Sequence, residues 1–152
     1  MPFMANLATC ETKVGTWVSS GADPGSKECV PAVKALAGTP ASHAWRRGKK
    51  VKGNNILPGT AIATFPIKKN GKFHFKGHAA IFVRYTAEGF EVYDQWKPKP
   101  NEPPTKWHPF QKRPIDYVCR GYISNDAEAF YVIELTEHPS DDPALCGPRS
   151  SF

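Results

Sequence analysis

Between Gly25 and Gly38 the residue pattern allows little other than a short helix that begins at a cysteine. Val30, Val33, Leu36 and Ala37 recur at helical spacing, so one face packs inward. Pro31 suits the first turn, where its missing N–H would have had no partner. Gly38, followed by Pro40, supplies the stop. Cys29 therefore stands at the positive end of a helix dipole, where a negatively charged sulfur is favoured. A cysteine nucleophile is set in such a place. A lone helix-start thiol is also a common packing residue, so the rest of the chain must supply a base.

Behind this helix the period changes to that of strands. Thr60–Phe65 follows the Pro58-Gly59 turn, His78–Tyr85 is the most strand-like run, and Ala87-Glu88-Gly89 turns it back into Phe90–Trp96. Lys68–Gly77 reads as a basic loop in which Asn70-Gly71 could close a hairpin. Residues 97–114 hold six prolines and are expected to form an ordered excursion, neither strand nor helix, anchored by Trp107 and Phe110. Ile115–Ile123 is expected to include a short strand, and Ala129–Leu135 a closing one. At the front, residues 1–24 read as loop with one short helical or extended piece around Lys13 to Val18. Ser42 is the expected N-cap of a second short helix that ends near Gly48. Helices ahead of an antiparallel sheet make the fold class α+β. At 152 residues and 40% hydrophobic content, one domain is expected over 1–152, with a polar Pro-rich tail at 136–152.

The base is His78, which opens its strand directly after Gly77. The hairpin register decides its neighbour. A three-residue turn sets Phe82 opposite Asp94, and His78, Phe82 and Asp94 then share a face. A two-residue turn slips the register by one and brings Gln95 there instead. Either accepts a hydrogen bond from the imidazole, but only Asp94 also stabilises an imidazolium, which favours Asp94. Cys29 would attack a carbonyl, His78 would carry the proton to the leaving amine, and Asp94 would fix the ring. The backbone N–H of Cys29 is the candidate oxyanion donor. Trp45 and Trp96 read first as core residues, although Trp96 also adjoins the proposed site.

Composition narrows the partners. The net charge of +6 arises from 20 basic and 14 acidic residues and is densest at Arg46-Arg47-Gly48-Lys49-Lys50. Anionic partners of any kind, nucleic acid, phospholipid surface or wall polymer, fit that balance, but no nucleic-acid-binding motif accompanies it, so no nucleic acid is expected and the cluster reads first as a solvated basic face. No apolar run is long enough to span a bilayer, so no membrane insertion is expected. Residues 1–10 have neither a basic n-region nor an apolar h-region, so export either avoids the general route or has already removed a signal. Cys10, Cys29, Cys119 and Cys146 lack metal-ligand spacing. A metal site from His74, His78 and a cysteine ranks last, and no metal or cofactor is expected. With Cys29 free, one disulfide could form among the other three cysteines, with its pairing open.

The motifs Glu28-Cys29-Val30, Ser42-His43-Ala44-Trp45-Arg46-Arg47-Gly48, Pro58–Phe65, Gly77–Val83 and Val92-Tyr93-Asp94-Gln95-Trp96 together resemble the papain-like peptidoglycan amidases of the NlpC and CHAP type. They look closest to the small amidase effectors of bacterial type VI secretion and to their relatives acquired by animals such as ticks. The resemblance spans roughly residues 25–135, most of the chain, and its motifs are specific in combination and weak singly. It implies a secreted, antibacterial cysteine amidase that cuts the peptide stems or crosslinks of peptidoglycan, with the bond between D-alanine and meso-diaminopimelate foremost. By position, Cys29 is the nucleophile, His78 the base and Asp94 the third member. Gln95, Trp96 and Glu28 flank them as candidate substrate contacts. A monomer with a cognate immunity protein is implied. A lipid-directed thiol acyltransferase and a wall-binding module without catalysis are the competing functions.

Overall fold

The computed structural model describes residues 2–22, 24–66, 75–98, 102–118 and 123–136. Its elements run α1 (Leu7–Lys13), α2 (Cys29–Ala37), β1 (Arg46–Lys50), β2 (Ala61–Thr64), β3 (Ala79–Tyr85), β4 (Gly89–Trp96), β5 (His108–Asp116) and β6 (Phe130–Glu134), with three single turns of 3-10 helix. The strands build one six-stranded sheet in the order β1-β6-β2-β3-β4-β5. Each neighbouring pair of these strands is antiparallel. No described helix is long and apolar enough to cross a membrane.

Period-two alternation gives the sheet two apolar faces. Ala61, Ala63, Ala79, Ile81, Tyr93 and Phe110 face one core with Cys10, Ala32 and Val33 from the helices. Ile62, Ala80, Phe82, Phe90, Val92 and Phe130 face the other. The alanines on the helical side bring α2 close onto β3 and β4. Helix α2 has the predicted ends: it starts at Cys29, buries Pro31 in its first turn, and stops at Gly38, whose φ of 70° is left-handed. The N–H of Gly38 donates to the Lys34 carbonyl at 3.0 Å.

Three local expectations are corrected. The front segment contains a true helix, α1, because the Asn6 side chain accepts the N–H of Thr9 at 3.1 Å and caps it. The stretch from Ser42 forms only one 3-10 turn, and Arg46–Lys50 is a strand paired with β6. The cap position of that turn is Ala41 and Ser42 lies inside it, Arg47 is buried with its guanidinium over the Tyr131 ring, and Gly48 lies so close to β6 that a Cβ would meet the Val132 carbonyl at 2.6 Å. Tertiary pairing has overridden a helical pattern four residues long.

The third correction is β5, a nine-residue strand that includes Pro109 and Pro114. It is an edge strand, and the Phe110 backbone bonds outward to Thr16 and Gly15 at 2.9 and 2.8 Å. Pro114 shares that outward parity and has no donor to contribute to β4; Pro109 falls where the β4–β5 register shifts. Prolines at such positions leave the ladder intact. The Asn70-Gly71 turn, His74, Cys119, Cys146 and most of the tail lie outside the described residues.

Candidate active site

Cys29 is the first residue of α2, half-buried, with Glu28 as the extended N-cap. His78 sits immediately before β3 and is 3% exposed, and its backbone N–H donates to Thr64 Oγ1 at 3.1 Å. Its Nε2 lies 2.7 Å from Asp94 Oδ2. The Cys29 side chain is the second group that interacts with the ring, and with Asp94 it favours the charged imidazole. Cysteine, histidine and aspartate therefore form one connected chain across the end of the sheet.

How Asp94 reaches that position differs from either simple register. The turn is the two-residue one, closed by Thr86 N–H to the Gly89 carbonyl at 3.0 Å, so Tyr85 pairs with Phe90. On a regular ladder that register presents Gln95. Between Phe82 and Arg84 the pairing shifts: Arg84 faces Glu91, yet Phe82 faces Val92. Val83 is a bulge residue that takes up one position on β3, and parity is restored in favour of Asp94. Asp94, and not Gln95, therefore lies on the face of His78, by a different route from the one expected.

Gln95 occupies the opposite side of β4. It is fully buried, and its amide is spent on backbone: Oε1 accepts the Val18 N–H at 2.9 Å, and Nε2 donates to the carbonyls of Val18 and Glu28 at 2.8 and 3.0 Å. It is a strut that fixes the start of α2 on the sheet, which corrects its expectation as a substrate contact. Glu28 is exposed, and its carboxylate pairs with Lys97 at 2.8 Å. Trp96 is half-buried, with its ring edge-on to His78 at 5.8 Å and stacked on His108 at 4.0 Å. It walls the histidine in.

The residue that sequence reasoning missed is Arg113. From β5, opposite Val92, its Nε lies 3.0 and 2.9 Å from the two Asp94 oxygens, and its Nη2 is 2.7 Å from Oδ2. Its Nη1 donates to Asn125 Oδ1 at 2.9 Å, Nη2 donates to the Ser124 carbonyl at 3.2 Å, and the guanidinium lies over Trp96 at 4.4 Å. The Pro-rich composition hid this strand and with it the arginine.

These contacts set the charges. Burial opposes the charged form of His78, but the negative charges and hydrogen bonds of Cys29 and Asp94 outweigh it and raise the imidazole to about 9. Burial likewise opposes ionised Asp94, yet Arg113 first and His78 second hold it below the usual carboxylate range. The surroundings of His78 thus favour its imidazolium form, with Asp94 as its buried counter-charge. Cys10, by contrast, is a free thiol sealed in the core, where burial pushes it up to about 11. Among the described residues no cluster of three or more His, Cys, Asp or Glu could hold a metal ion.

Comparison with known proteins places this geometry in a lineage. The family model for domesticated amidase effector 2 matches residues 3–133. A protein named domesticated amidase effector 2, from Ixodes scapularis, is 40% identical over 126 residues, covering 80% of this chain and 78% of the relative. A type VI secretion amidase effector 2 protein from Salmonella typhi is 33% identical over 120 residues, covering 70% of this chain and 84% of that one. The solved structure of type 6 secretion amidase effector 2 (Tae2) superposes with a TM-score of 0.58 at 30% identity, covering 86% of this chain and 94% of that one. The α+β, papain-like fold class agrees with that neighbour. The chain belongs to the domesticated amidase effector 2 family.

Proposed function

We propose that this protein is a cysteine amidase that hydrolyses amide bonds of bacterial peptidoglycan, with the D-alanine to meso-diaminopimelate crosslink as its principal target. The observation that carries the reading is the Cys29–His78–Asp94 chain of hydrogen bonds at the start of a helix. Relatives named as amidase effectors support the wall as substrate.

The chemistry follows from the geometry. His78 holds the proton given up by the Cys29 thiol, as an imidazolium beside the sulfur, and the sulfur attacks the amide carbonyl. Charge develops on the carbonyl oxygen, where the Cys29 backbone N–H, unpaired within the helix, is a donor. The tetrahedral species collapses as His78 returns its proton to the departing amine, which leaves a thioester on Cys29. Water, losing a proton to His78, then hydrolyses the thioester and restores the thiol. Asp94, clamped by Arg113, keeps the ring in one tautomer and stabilises the imidazolium through each transfer.

Such an enzyme acts outside the cell that makes it or in a target periplasm, and a producing bacterium would need an immunity protein. Digestion of purified Gram-negative peptidoglycan, with fragments weighed by mass spectrometry, tests the reading. Wild type is expected to convert crosslinked dimers to monomer stems while Cys29→Ala does not. Shortened stems without loss of crosslinks would move the bond, and an unchanged wall would refute the substrate.

A further inference from the structure

Beside Cys29 stands a feature that the triad does not use. Trp17 and Trp107 meet edge to face, with centroids 5.9 Å apart, and Lys27 Nζ lies over both rings at 5.7 and 5.1 Å. Trp107 is 47% exposed, Trp17 half-buried and Lys27 exposed. Lys27 precedes Cys29 by two residues, which keeps their Cα atoms within about 7 Å. Water is a poor environment for two adjacent indoles, and exposed tryptophans concentrate where ligands bind.

The wall is held in place from behind. The segment carrying Trp17 is tied to β5 through the backbone bonds between Gly15, Thr16 and Phe110, and the next residue, Val18, is clamped by Gln95. His108, the neighbour of Trp107, stacks on Trp96, which abuts His78. The aromatic wall and the catalytic chain are therefore parts of one rigid rim. Charge then selects the ligand. Lys97, another lysine near the site, is paired with Glu28 at 2.8 Å. Among the described residues no carboxylate is paired with Lys27, so its ammonium, positioned by two π faces, keeps its N–H donors for an incoming anion.

We propose that Trp17, Lys27 and Trp107 form a substrate subsite that receives a free carboxylate of the peptide stem, the indoles flanking its aliphatic neighbour. The inference rests on the amidase reading and adds a specificity: stems with a free carboxylate at this subsite are preferred over stems in which it is amidated, and the α-carboxyl of the second stem residue is the one tested.

The test uses two purified crosslinked peptidoglycan fragments that differ only in that group, carboxylate or carboxamide. Lys27→Met is expected to lower kcat/KM about fivefold to tenfold on the carboxylate fragment, through KM, and less than twofold on the amide. Lys27→Arg is expected to restore most of the loss, and Trp107→Ala to weaken both fragments. Equal loss on both fragments in Lys27→Met, or no loss, overturns the proposal. Binding of the same fragments to Cys29→Ala, read by tryptophan fluorescence, separates the two readings. If wild type cleaves neither fragment yet Cys29→Ala binds the carboxylate form more tightly and loses that preference when Lys27→Met is added, the subsite stands and the amidase reading falls. Binding that ignores the carboxylate overturns the subsite.

Discussion

The two ends of the hydrogen-bonded chain are built in opposite ways. At one end Asp94 is buried in the sheet and Arg113 half-buried over it, with bonds from the arginine to the carboxylate, to Asn125 and to the Ser124 carbonyl. At the other end Cys29 is half-buried at a helix start, beside an exposed lysine and two tryptophans. His78 joins them. Precision is stored at the closed end, where low dielectric makes each bond strong and each unpaired charge costly. Access lies at the open end, where side chains can meet a polymer.

Breaking the middle of the chain should have the largest effect on chemistry. Cys29→Ala and His78→Ala are each expected to lower amide hydrolysis at least ~1,000-fold with the fold retained, measured as fragment release and by circular dichroism. Breaking the closed end should cost stability as well. Asp94→Ala leaves the Arg113 guanidinium without its carboxylate and is expected to cost about 3–5 kcal/mol in denaturant unfolding. Adding Arg113→Met should recover part of that loss; a double variant no more stable than Asp94→Ala would show that the pair is not the source.

A pH series sharpens the comparison from the His78 side. Its folded value, about 9, lies above the ordinary 6.5, so its contribution to stability is full below 6.5 and is lost as pH rises through 9. Asp94 is lowered, so its contribution is full above 3.8 and is lost as pH falls through its folded value. Unfolding free energy should therefore be highest between those limits. In Cys29→Ala the alkaline decline should begin at lower pH, because one of the two negative partners of His78 is gone; an unmoved decline would mean that the thiol and imidazole are not coupled.

A smaller effect is expected at the strut. Gln95→Leu strands the Val18 N–H and frees the start of α2, at a cost of about 1–3 kcal/mol. The exposed Glu28–Lys97 pair comes last: Lys97→Ala should leave the unfolding midpoint unchanged.

How much of this was legible in the sequence follows the same division. The cysteine helix could be read from its own punctuation, because Pro31 and Gly38 act locally. The order of cysteine, histidine and acid could be read from the chain too, since those residue types constrain one another, and the fold brings His78 and Asp94 within 2.7 Å. Arg113 and β5 were hidden because proline argues against a strand wherever the neighbours are unknown, and only the sheet order reveals an edge. The Val83 bulge was equally invisible: nothing in Ile81-Phe82-Val83-Arg84 marks it, and it exists to reconcile a two-residue turn with the face Asp94 must occupy. The role of Gln95 depends on where residues 16–18 run, which is a tertiary fact.

The account rests on Cys29 becoming covalently attached to the acyl half of the substrate. Acid quenching of wild type during turnover of a crosslinked fragment, followed by peptide mapping, tests that directly. A thioester on the peptide that contains Cys29, absent from Cys29→Ala, is the predicted result. Continued cleavage by Cys29→Ala, or an adduct on any other residue, would contradict it.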